Sequence, residues 1–371
     1  MNASPGGTLH EHFTDLPDPR IERAKRHSLL AIVTIALCGV IGGADSWVEI
    51  ARVGRAKRAW LETRVSLPKG IPSHDTCGRV FAALEPAAFA SALLGGGPAL
   101  VTTTAGESIA IDGTTRRRAH DRTQHRAALQ LVSAWATANH VVLGQVATAR
   151  HSNASTAIPA LREILTRKDA VMTSDARGCQ PAIADQIVTG AGDSVLARKA
   201  NPPTQHELVQ HHFAITDEEV GHRTVDKEHG RREIRTCRAI DEPAVLAWLD
   251  PQRAWPGLRS IAAVTDERRI GETVTTDTRS SLSSLAADPE RIGTAVRTHW
   301  GIANGLHWVL DMAFREDDSR VRCGHAAENF AGIRHLAPTR LKRETTAKVG
   351  IKAKRLMCGG DETHLATVLT T

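Results

Sequence analysis

The sequence predicts an α/β protein in which a helical N-terminal stretch precedes a sheet interleaved with helices. Three observations carry this. Apolar residues recur at helical intervals up to about residue 93. From residue 108 short apolar runs take over, bounded by Gly and Asp. Those runs then alternate with helical segments, the pattern of an α/β sheet.

Residues 9–93 read as the helical domain. LLAIVTIALCGVIGGA (29–44) predicts a buried helix, because a bilayer span needs ~20 residues and this run carries three glycines. SWVEIARVGRAKRAWLE (46–62) spaces Trp47, Ile50, Val53 and Trp60 helically, with Arg55 and Lys57 on a basic face between them. That face either meets DNA or is simply solvated. SHDTCGRVFAALE opens a further helix with Ser73 as its N-cap. The Gly- and Thr-rich residues 94–107 form a linker.

ESIAIDG is a strand ending at Asp112, and ALQLVSAWATANHVVLGQVAT (128–148) is a hairpin turning at Ala138–Asn139. The helix STAIPALREILTR, the strand AVMTSDA ending at Asp175, the helix CQPAIADQIVTGAG and the strand DSVLARKA follow. Residues 204–288 are a polar, charge-rich, β-containing insertion. One long helix over 289–314 then starts at Asp288 as cap, with Pro289 in its first turn. As continuous helix it stacks His299, Ala303 and His307 in one column. Pro338 is expected to interrupt the closing helix AAENFAGIRHLAPTRLKRE, and residues 341–371 to form a basic tail. Trp135, Trp300 and Trp308 read as core, and Trp255 as the aromatic to face DNA.

Composition narrows the chemistry. Hydrophobic content of 41% suits a globular protein with a real core. Lys and Arg exceed Asp and Glu by 47 to 41, which favours a polyanionic partner. The six cysteines form no C-x-x-C pair, so neither a zinc knuckle nor a disulfide framework is indicated. The N-terminus lacks the basic start and apolar run of a signal peptide, and a cytoplasmic location is expected. With no tyrosine in the chain, reactions through a phosphotyrosine enzyme intermediate are excluded.

Asp112 and Asp175 each end an apolar strand. Carboxylates at the ends of neighbouring strands meet at the sheet edge, where ligands of open α/β sheets sit. There they either share a hard divalent cation, Mg²⁺ or Mn²⁺, or cap the turns that follow. Arg116, Arg117 and Arg118 follow the first, Arg177 the second, and Lys199 ends the next strand. Such cations hold a phosphate backbone.

IAIDG-T-RR, the LVSAWA…LGQV hairpin, SDARGCQ, HWGIANGLHWVLDMAFRED and HFTDLPDPR…SHDTCGRVFAAL resemble the DDE transposases of bacterial insertion sequences, in the ISAs-type or H-repeat-associated subgroup. The likeness runs over roughly residues 9 to 345. It implies a ribonuclease-H-like catalytic domain (108–340) with a β-rich insertion, preceded by a helical associated domain. It also implies two Mg²⁺ or Mn²⁺ ions, double-stranded DNA at element ends and target, a homodimer in the synaptic complex, and a nucleoid-associated place in a bacterial cytoplasm. Asp112 and Asp175 match the family's first and second catalytic acids. The third is a glutamate in H-W-G-I-E-N, and the matching position is Ala303, flanked by His299 and His307. Asp311 lies ~12 Å further along a regular helix and rotated by ~80°. Glu316, Asp317 and Asp318 fall beyond it.

Thr114 in place of the family's lysine, ARKANPP in place of L-K-G-N-Q, and Pro338 are further departures. Together with Ala303 they point to a degraded, catalytically impaired transposase. The alternatives are a non-catalytic DNA-binding remnant, or an unrelated α/β hydrolase acting on a small phosphate ester.

Overall fold

The computed structural model describes residues 13, 15–94, 106–116, 118, 129–148, 168–176, 178–198, 213, 221–228 and 230–371. Helix α1 (Leu29–Ile41) is apolar on every side and almost wholly buried, and the Ser28 hydroxyl caps it by accepting from the Ala31 amide at 3.2 Å. Ser46 caps α2 (Trp47–Ala56), which breaks at Lys57 before the short α3 (Arg58–Glu62). As its cap position predicts, the Ser73 hydroxyl accepts from the Thr76 amide at the start of α4 (His74–Ala83), and α5 (Pro86–Leu94) follows.

Among the described residues, nine strands form one mixed sheet in the order β3-β2-β1-β4-β5-β9-β8-β7-β6. They are β1 (Ser108–Arg116), β2 (Leu129–Ala136), β3 (Val141–Thr148), β4 (Val171–Ser174), β5 (Asp193–Ala197), β6 (His222–Glu228), β7 (Arg231–Ile240), β8 (Ser260–Ile270) and β9 (Thr273–Ser283). The β1–β4 and β4–β5 pairs are parallel and the others antiparallel. The expected insertion does not build a sheet of its own. Val195 of β5 pairs with Ser283 of β9, so the four later strands extend the first five.

Helices cover both faces, as parallel strands buried on two sides require. On one face α6 (Pro181–Thr189) sets Ile183 and Ile187 against Ile109, Ile111, Met172 and Leu196. Beside it on that face α7 (Pro243–Leu249) places Leu249 against Ile261 and Leu282. On the other, α8 (Pro289–His299) packs Ile292 and Ala295 against Val171, Val195 and Cys237. The Asp288 carboxylate caps α8 by accepting from the Glu290 and Arg291 amides, both at 3.0 Å. A π turn (Ala303–His307) and α9 (Trp308–Phe314) continue the chain.

The last helices correct two expectations. α10 (Ala326–Arg343) runs through Pro338 unbroken, because the ring is buried in a helix otherwise anchored along its length. Residues 341–371 are no loose tail: α11 (Ile351–Gly360) and α12 (Glu362–Thr370) bury Cys358, Leu365 and Val368 completely. One core unites these helices with α1, α4, α5, α9 and α10, so it does not stop at the linker expected near 94–107. No described helix is long and apolar enough to cross a membrane.

Candidate active site

Parallel pairing of β1 with β4 sets Ile111 opposite Ser174. Asp112 and Asp175 each come one residue later, so the register brings them side by side where β4 ends, on strands ~4.8 Å apart. The Gly113 amide donates to Asp112 Oδ1 at 2.7 Å. Asp175 Oδ1 accepts from the Gly178 amide at 3.2 Å, closing the S-D-A-R-G turn. A Cβ at 178 would lie 2.8 Å from Ser174, so this turn needs glycine.

Two histidines of the α8–α9 segment reach Asp112 in β1 and the end of β4. His307 Nε2 lies 3.1 Å from Asp112 Oδ2, off the line of an ideal hydrogen bond. His299 Nδ1 lies 3.0 Å from the Thr173 hydroxyl. Burial by itself would raise the Asp112 carboxyl, but His307, the Gly113 amide and His299 outweigh it and hold it below the usual carboxylate range. Burial likewise lowers the His299 imidazole, against the pull of Asp112 and Asp175.

Ala303 opens the π turn that joins the two histidine positions. The Trp308 amide donates to its carbonyl, an i→i+5 bond. The uninterrupted column expected of His299, Ala303 and His307 is therefore broken at its middle residue. The cause lies beneath. Trp135 is 2% exposed, and a Cβ at Gly305 would fall 2.6 Å from its ring. Lys342 of α10 places its ammonium over that ring at 5.5 Å and donates to the Gly305 carbonyl at 2.7 Å. Burial pushes this lysine down to about 8.

Beside Asp175 a cavity of about 340 Å³ is lined by Thr173, Arg198, Arg279, His299 and Trp300. Arg279 stacks on Trp300 at 4.5 Å. Trp300 and Trp308 are 45% and 60% exposed, against the expectation that both are core, because their positions on the segment turn away from the sheet. Trp255 is half-buried against the core beneath α7, so it is not a free DNA-facing ring.

Of the expected DNA contacts, Arg55 is exposed, whereas Lys57 is only 6% exposed and offers no free surface charge. It sits at the α2–α3 break, where the chain turns it inward. The side chain of Arg116, with Arg117, Arg177 and Lys199, lies outside the described residues. Glu316 is 5% exposed and directed to His335, at 3.4 Å, which takes it away from Asp112. Asp311 is raised by burial and by Asp317 and Glu316.

Asp112 and Asp175 are the residues that would hold a divalent ion. Both oxygens of Asp112 are already engaged, by Gly113 and His307. Among the described residues no group of three or more His, Cys, Asp or Glu is arranged to hold a metal. A two-metal centre, in which ions ~3.5–4 Å apart clamp the attacking and leaving oxygens, does not fit this donor set.

The sequence matches the family model described as transposase DDE domain over residues 104–338, and that described as DDE_Tnp_1-associated over 10–95. It is 34% identical to the protein YbfL of Escherichia coli (strain K12) over 369 residues, covering 97% of each chain. It is equally 34% identical to the "H repeat-associated putative transposase YhhI" of the same strain, again covering 97% of each. With the "Putative transposase YncI" of Escherichia coli O157:H7 it shares 33% identity, over 98% of this chain and 95% of that one.

Proposed function

The chain belongs to the family of transposases with a DDE domain, and on that premise we propose that it is an insertion-sequence transposase by descent, one that binds double-stranded DNA but is impaired in metal-dependent strand cleavage and transfer. The observation that carries this reading is the pairing of Ile111 with Ser174, which sets Asp112 beside Asp175, while Ala303 opens the turn between the two histidines.

The strand order β3-β2-β1-β4-β5, with its antiparallel first hairpin, supports a ribonuclease-H-like centre to the sheet. In that reading Asp112 and Asp175 are the first two acids of the family's three. His307 holds Asp112 as a carboxylate, and His299 anchors α8 to β4 through Thr173. The family uses divalent metals, Mg²⁺ or Mn²⁺, and the third acid that would complete their donor set is lacking at 303. Double-stranded DNA at element ends and target is the partner, a homodimer the assembly that bridges two ends, and the bacterial cytoplasm the place of action.

A donor-DNA cleavage assay with Mn²⁺ tests this on the full chain and on Ala303→Glu. No cleavage is expected from the unaltered chain and measurable cleavage from the variant. Robust cleavage by the unaltered chain refutes the impairment. The same alanine favours a second reading, a non-catalytic DNA-binding remnant. There Ala303→Glu stays inactive, while duplex binding persists and weakens steeply with salt.

A further inference from the structure

In the outer four strands the register lines residues up in cross-strand rows. Neighbouring rows alternate between the two sheet faces. On the face toward α8, acids and bases cancel. Arg235 meets Asp226 at 2.7 Å, Glu233 at 2.5 Å and Asp266 at 2.9 Å, and Arg297 of α8 reaches Asp226 at 2.8 Å.

The other face is different. Lys227, Arg232 and Arg269 stand directly opposite one another on β6, β7 and β8. Arg223 lies on the same face, four residues before Lys227. All four are exposed. The acid among them is Glu267, which pairs with Arg269. Arg223, Lys227 and Arg232 make no ion pair among the described residues.

Like charges directly opposite on adjacent strands destabilise a sheet. Here three occur in one row, ~10 Å across, while on the other face Arg235 alone is held by three carboxylates. A single small anion cannot span such a patch; a polyphosphate backbone can. We propose that this face of β6, β7 and β8 is a contact tract for the phosphate backbone of duplex DNA. Asp112 and Thr173, which meet the histidines of the α8–α9 segment, lie on the opposite face of the sheet. The tract is therefore a second surface, separate from the carboxylate pair. Its contacts are to phosphates, and phosphate contacts position DNA without selecting its sequence.

The inference rests on the reading that the chain binds DNA, and the experiment separates the two. Binding of two duplexes of unrelated sequence is measured against salt for the full chain, for Lys227→Gln/Arg232→Gln/Arg269→Gln, and for Arg268→Gln on the α8 side. The triple variant should lower the log–log salt slope by about 2 to 3 on both duplexes, at ~0.9 per phosphate contact. Arg268→Gln should leave it unchanged. Without DNA, the triple variant should melt no lower than the parent, since a repulsive row is removed. If it melts lower, single Arg232→Gln decides, with an expected change of about 0.9. A parent that binds while the neutralised chain keeps its slope, or an equal loss from Arg268→Gln, overturns the tract alone. Failure of the parent to retain any duplex at low salt overturns the tract together with the DNA-binding reading.

Discussion

The ammonium of Lys342 lies 2.7 Å from the carbonyl oxygen of Gly305 and ties α10 to the π turn that Ala303 opens. A π turn frees backbone groups that a regular helix would satisfy, and here a side chain from 37 positions away supplies a partner.

Lys342 should leave a pH signature. Its value in the folded chain is about 8, against 10.5 in the open. Below about 8 the folded state carries a charge that burial disfavours. As pH rises from 8 towards 10.5, only the unfolded chain keeps the proton, so stability rises. Urea unfolding of the parent and of Lys342→Met across that window should show their difference growing in the parent's favour. A constant difference would contradict the burial of this amine.

Gly305→Ala should cost about 1–3 kcal/mol, because its Cβ would meet the buried Trp135 ring at 2.6 Å. At Gly301 the same contact is 3.4 Å, ordinary packing, and alanine gains up to about 1 kcal/mol of helix propensity. Denaturant midpoints of the two variants should therefore move in opposite directions, or Gly301→Ala should not move at all.

The C-terminal helices hang on a buried pair, Lys354 and Glu344, 3.2 Å apart. Bonds from Thr346 push the Glu344 carboxyl down to about 2, against burial. A depressed acid contributes stability above its unfolded value of 4.5 and loses it as pH falls from there to about 2. Lys354→Met, which leaves the Glu344 carboxylate its Thr346 and Ala347 donors but removes the bond to the Leu341 carbonyl, should cost roughly 1–3 kcal/mol and loosen α11 first in amide exchange.

What could be read in the sequence is what is decided locally. Caps at Ser73 and Asp288, the hairpin turning after Thr137, and the strand ending before Asp175 depend on neighbours a few residues away, whereas β1, expected to end at Asp112, runs on to Arg116 because β2 pairs with it that far. The π turn depends on Trp135 and Lys342, each far off in sequence, and only the Gly301–Gly305 spacing hinted at it. Lys57 is basic and lies on a helical pattern, yet the α2–α3 break turns it inward. The row Lys227, Arg232, Arg269 exists only once three strands find their register. The C-terminal helices read as a basic tail, with Lys354 and Arg355 among its charges. Both are buried and bonded to backbone carbonyls, Leu341 and Val40 among them.

The central claim is that a third ligand is missing at 303 beside an otherwise assembled pair. Calorimetric titration of Mn²⁺ into the full chain, Ala303→Glu, and Ala303→Glu/Asp112→Asn measures it directly. Restoring the acid should tighten binding about tenfold or more, and Asp112→Asn should cancel the gain. Mn²⁺ binding as tight in the unaltered chain as in Ala303→Glu would contradict the account.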